Sequence, residues 1–141
     1  MILKPDNKVA MLRLTLLAER AALCRLAPDA PVPAWTAGAR QFLTISRSPT
    51  ELSIVADERV VPSNVAAERG YHVLRVEGPL PLDLIGVFAS LATPLANAGI
   101  PIFPIATYDL DYLLVRDVDI ERALTTLRTV GHIIDLAPRN L

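Results

Sequence analysis

Between Asp83 and Asp109 the chain runs for 25 residues without a charge, and this stretch limits the possible folds more than any other feature. It is long enough to cross a hydrocarbon core of ~30 Å. Its details argue against a span: Pro94, Asn97, Gly99, Pro101 and Pro104 interrupt it, and its flanks are acidic rather than basic. An uncharged segment broken in this way has to be buried as a helix followed by a strand. The N-terminal residues MILKPDNKVAMLRL contain no apolar run ending in a small-residue cleavage site, so no secretory signal is expected and the cytoplasm is the expected location.

The flanking residues organise around this segment. Tyr71–Val76 reads as a strand, and Gly78–Pro81 breaks it. Asp83 is placed as an N-cap before LIGVFASLATPLAN, with Gly99 as the stop. Leu84, Val87, Phe88, Leu91 and Leu95 recur at helical spacing and give that helix a core face. Pro94 lies inside it and removes one backbone hydrogen bond, which predicts a kink or a tightened last turn. Ile100–Ala106 and Tyr112–Val115 read as strands, a second helix begins at Asp117 or Asp119 and ends at Gly131, and His132–Leu136 closes as a strand. The order β-α-β-β-α-β is the ferredoxin-like arrangement, an α+β fold. Prolines cannot donate to a ladder, so the strand carrying Pro104 belongs at a sheet edge, with Pro101 at its start.

The first half is β-rich. Leu12–Leu17 and Ala21–Leu26 read as strands around a Glu19-Arg20 turn, and Phe42–Ser46 and Leu52–Val55 as two more. Residues 1–68 are expected to form a smaller subdomain and residues 69–141 the second domain. Trp35, among prolines, either seals the first subdomain or meets a partner chain.

Composition removes whole classes of function. Fourteen basic residues against fifteen acidic give a net charge of −1, without the basic footprint of a nucleic-acid binder. One cysteine and two histidines exclude an intrachain disulfide framework and make a zinc cluster improbable. Cys24 reads as a small core residue, and His72 and His132 read as structural. No catalytic residue, metal site or cofactor is predicted. The arginines and acids from Arg116 to Arg122 read as a solvated face.

The run from Gly78 to Val115 resembles an ACT domain, the small regulatory module that binds amino acids. Ile85-Gly86-Val87, Thr93-Pro94-Leu95-Ala96 and Ala106-Thr107-Tyr108-Asp109-Leu110-Asp111 carry the likeness. The pattern is closest to the tandem-ACT group that includes the CASTOR arginine sensors and bacterial relatives, and Ser46–Pro62 resembles its first, degenerate ACT-like half. The resemblance implies a non-enzymatic, amino-acid-binding sensor that works as a homodimer and signals to a regulated protein partner. It implies ligand contacts from Leu84, Ile85, Gly86, Thr107, Tyr108 and Asp111. In arginine-sensing relatives the position matching Leu84 can be acidic; leucine here, with apolar Leu110, favours a shorter or apolar side chain.

Physical chemistry gives these residues matching roles. A helix start offers unpaired N–H groups to a carboxylate, and an aspartate offers charge-assisted acceptance to an ammonium group. Each also has a plain reading: Gly86 as a packing glycine, Asp109 and Asp111 as solvated turn formers. The alternative function is an ACT-like protein-interaction module without a small-molecule ligand, pairing through the edge strand around Ile102.

Overall fold

The computed structural model describes residues 1–138, in two compact units: Met1–Ala18 with the segment from His72 onward, and Glu19–Tyr71. In chain order the strands are β1 (Ile2–Leu3), β2 (Val9–Met11), β3 (Arg13–Leu16), β4 (Ala21–Leu26), β5 (Leu43–Arg47), β6 (Leu52–Asp57), β7 (Ala67–Val76), β8 (Phe103–Ala106), β9 (Asp111–Arg116) and β10 (Ile133–Leu136). The helices are α1 (Val87–Asn97) and α2 (Ile120–Thr129). Residues 67–71 of β7 belong to the 19–71 unit and residues 72–76 to the other. Residues 1–18, grouped with the first half by sequence, therefore lie in the unit of the second half; residues 139–141 of the expected second domain fall outside the described residues.

In the larger unit the strands run β10-β3-β7-β9-β8. The β-α-β-β-α-β order is present in β7-α1-β8-β9-α2-β10, with one addition. β3 enters between β10, which it pairs in parallel, and β7, which it pairs antiparallel. It does not form the expected hairpin with β4, because its register partners are Leu74–Val76 and Ile133–Leu136. β8 lies at the edge, pairing β9 alone with Pro104 opposite Leu113, while Pro101 lies before the strand. Both helices feed the core, where Leu12, Leu14, Leu74, Val76, Leu91, Leu95, Leu113 and Leu127 are fully buried. Each such side chain contributes roughly 1.5–3 kcal/mol by leaving water.

Both helices close with the same backbone device. Past α1, Gly99 N–H donates to Ala96 and Ile100 N–H to the Leu95 carbonyl; past α2, Gly131 donates to Arg128 and His132 to Leu127. Gly131 takes φ +101°, a conformation that L side chains resist. This turn sets His132 in the interior, 4% exposed. Its Nδ1 accepts the Leu12 N–H at 3.0 Å, so Nε2 carries the proton and donates to the Ser90 carbonyl, also at 3.0 Å. In a regular helix that carbonyl would accept the N–H four residues on, but residue 94 is proline and has none. His132 supplies the missing donor.

In the 19–71 unit the order is β7-β4-β6-β5, with Ala22, Cys24, Leu52, Ile54 and Ala56 at its core. Trp35 packs against that core from outside, the sealing role of the two expected. Burial raises the Cys24 thiol above its ordinary pKa, in keeping with an inert core cysteine. Asp57, fully buried, accepts the backbone N–H groups of Arg40 (2.8 Å), Gln41 (3.0 Å) and Phe42 (2.9 Å). It pins the approach to β5.

Candidate functional site

A hollow of about 440 Å³ opens in the larger unit between the start of α1, the β8–β9 turn and the Leu80–Leu84 segment. Five of the six residues expected at the site line it: Leu84, Gly86, Thr107, Tyr108 and Asp111. Ile85 does not. Its backbone is held by the N-terminal strands, accepting the Val9 N–H at 3.0 Å and donating to Asn7 at 3.4 Å, and its side chain is half exposed. Leu80, Val87, Phe88, Asp109 and Leu110 line the hollow as well; Val87 and Phe88 are expected on the core face of the helix, Asp109 and Leu110 in the strand-end motif, and no local sequence signal singles out Leu80.

α1 starts at Val87, not after Asp83, which is exposed. Gly86 is the N-cap residue, at φ +85°, and no side chain caps the turn. Ser90 N–H is the first to find a helical acceptor, at Gly86 O, 2.9 Å. The N–H groups of Val87, Phe88 and Ala89 are thus left without an intrahelical partner at the hollow. A Cβ built on Gly86 would meet nothing within 4 Å, so glycine is required here by its dihedral angles, not by packing.

The opposite wall is a turn stitched by Thr107. Its N–H donates to Leu110 O at 2.8 Å, its hydroxyl donates to the same oxygen at 3.0 Å, and Leu110 N–H donates to that hydroxyl at 3.3 Å. Thr107 shapes the turn rather than presenting a free hydroxyl. Leu80 N–H donates to Asp109 O at 2.8 Å and fastens the Leu80–Leu84 segment to it. Tyr108, 80% exposed, stands at the tip. Asp111, at the start of β9, is half-buried, and no hydrogen bond or ion pair neutralises its carboxylate among the described residues. Desolvation raises its pKa above the ordinary carboxylate value.

A second charged cluster corrects the reading of Arg116–Arg122 as a solvated face. Asp119 is 5% exposed and lies between two guanidinium groups. Arg116 reaches it at 2.8 and 3.1 Å and Arg122 at 3.0 Å. Arg122 also donates to Ala98 O, 3.0 Å away at the end of α1. The hydrogen bonds from Arg116 and then Arg122 hold the Asp119 carboxyl below its usual range. Asp119 stands at the N-cap position of α2, as one of the two expected starts, but its side chain makes no capping hydrogen bond; a short 3₁₀ turn over Asp117–Asp119 leads into that helix. His72 Nε2 lies 2.6 Å from Asp117. Among the described residues no cluster of histidine, cysteine and acidic groups is arranged to hold a metal, and no helix is long and apolar enough to cross a membrane.

Residues 66–129 match the ACT domain family, and residues 19–64 match a separate family described as an N-terminal domain. The crystal structure of a protein from Agobacterium tumefaciens is similar over 94% of this chain and 98% of that one, at 32% identity and a TM-score of 0.86. Residues 66–129 of the chain belong to the ACT domain family. A Vibrio cholerae protein described as a possible transport protein is similar in fold at 20% identity, TM-score 0.66, over 85% of this chain and 90% of its own. The ligand-free regulatory subunit of aspartate kinase from Thermus thermophilus is similar in fold at 13% identity, TM-score 0.55, over 80% of this chain and 93% of that one. Every residue lining the hollow lies within residues 66–129, the ACT segment.

Proposed function

We propose that this ACT protein is a non-enzymatic regulatory sensor that holds a free amino acid in the hollow at the start of α1. The observation that carries the reading is the pairing of opposite electrostatic features across one cavity. Uncapped N–H groups of Val87, Phe88 and Ala89 line it on one side, and on the other the Asp111 carboxylate, which has no partner among the described residues. An α-amino acid carries a carboxylate and an ammonium group on adjacent carbons and matches both at once. The partial positive charge of the helix start favours the first, and a half-buried carboxylate binds the second more strongly than an exposed one would.

Exposed apolar side chains at Leu82 and Tyr108 in the lining of the hollow support a working homodimer, in which ligand changes how chains associate with each other or with a regulated partner. The 19–71 unit is read as a degenerate ACT-like half, as in the tandem-ACT group, and the cytoplasm as the site of action.

The test is a thermal-shift screen of the full chain against the standard amino acids, with Asp111→Ala beside it. Ligand at 100 times its dissociation constant adds about 2.7 kcal/mol, a shift of several degrees in a chain of this size. A shift with one or a few amino acids, lost in Asp111→Ala, is expected. No shift with any of them overturns the reading.

A further inference from the structure

We infer that the hollow selects neutral amino acids with an aliphatic side chain and rejects acidic and basic ones. This rests on the reading of the hollow as an amino-acid site and adds the class of side chain. The charged residues lining it are Asp109 and Asp111; no lysine, arginine or histidine is among them. Its electropositive feature is the start of α1, which accommodates a single carboxylate. A second carboxylate, on an aspartate or glutamate ligand, would meet no cation in the lining and would lose hydration against the apolar wall. Much of the remaining wall is hydrocarbon from Leu80, Pro81, Leu82, Leu84, Val87 and Phe88, the hydroxyl-bearing residues being Thr107, whose hydroxyl is spent on its turn, and the exposed Tyr108. A lysine or arginine side chain laid along it would lose hydration, and Asp109 is exposed, so solvent screens its attraction for that charge. An aliphatic side chain meets no such penalty and gains with each methylene it buries.

The experiment is titration calorimetry of the full chain with L-alanine, L-2-aminobutyrate and L-norvaline, beside L-aspartate, L-glutamate, L-lysine and L-arginine. Burial at the transfer free energy of a methylene predicts about fourfold tighter binding per added carbon along the aliphatic series. All four charged amino acids are expected to bind at least tenfold more weakly than norvaline. Leu84→Ser is expected to flatten the series; should it fail to fold, Leu82→Ser, at an exposed position, serves instead. A flat or inverted series, or tight binding of a charged amino acid that depends on Asp111, overturns the side-chain class and leaves the amino-acid site standing. Binding by no amino acid, or binding indifferent to Asp111→Asn, removes the site and the inference together.

Discussion

Replacing His132 by phenylalanine tests whether one side chain repairs the gap that Pro94 leaves in α1. The ring stays, but both nitrogens become C–H groups. The Leu12 N–H, on a residue with no exposure, loses its acceptor, and the Ser90 carbonyl loses the donor that stands in for residue 94. Each buried group left unpaired costs about 1–3 kcal/mol, so the expected loss for the two is about 2–6 kcal/mol. For a domain stabilised by roughly 5–15 kcal/mol this is a large fraction. Urea denaturation followed by circular dichroism reads it as a lower midpoint at an unchanged slope. Pro94→Ala then completes a double-mutant cycle. Alanine restores a backbone N–H to the Ser90 carbonyl, so it recovers more stability beside His132→Phe than in the wild type. The difference is about 1 kcal/mol, the net value of one hydrogen bond. A loss below about 0.5 kcal/mol for His132→Phe, within the range of ordinary surface substitutions, refutes the bracing role. Equal effects of Pro94→Ala in the two backgrounds refute the link to Pro94.

Three further outcomes are expected. Asp57→Asn keeps an acceptor for two of its three N–H donors and turns an amide N–H toward the third, costing about 2–4 kcal/mol; hydrogen exchange at the amides of Arg40, Gln41 and Phe42 accelerates if this is correct. Gly86→Ala costs about 1–2 kcal/mol in urea denaturation through its left-handed backbone alone, and Gly86→Asn less; a larger loss would point to a clash that the open space there denies. Burial raises the Asp111 pKa in the folded state, so the native protein binds more protons than the unfolded one just above the ordinary carboxylate value. Stability from this group is present at low pH and falls as pH rises through the folded pKa. Asp111→Asn should therefore raise the melting temperature of the ligand-free protein at pH 7 while abolishing ligand binding, and a fall in that temperature contradicts the assignment.

Local signals carried much of the fold. Gly99 and Gly131 mark both helix ends because a left-handed residue there is a backbone requirement that few residues meet. Pro104 points to the edge strand because a missing N–H is tolerated only there. Leu84, Gly86, Thr107, Tyr108 and Asp111 stand around one hollow, although Thr107 spends its hydroxyl on the turn. What escaped depends on partners distant in sequence. Four residues of β3 say nothing about whether they pair with β4 or with β7 and β10. The bond from His132 to Ser90 spans 42 positions, and Asp57 is joined to a loop 15 to 17 residues away. Asp119 lies among close sequence neighbours, yet charged residues near a helix start read alike whether solvated or clamped. Asp83 was the natural cap by residue type; α1 instead begins three residues later, once Gly86 has turned the chain.

The central claim is that the hollow at the start of α1 binds an amino acid through its two oppositely charged groups. An amide-resolved NMR titration of the ¹⁵N-labelled chain with an amino acid that raises its melting temperature tests it most directly. The account predicts saturable shifts concentrated at Gly86–Ala89 and Thr107–Asp111, absent in Asp111→Asn. Shifts centred elsewhere, such as the separate hollow lined by Leu16, Leu124 and Leu136, would contradict it.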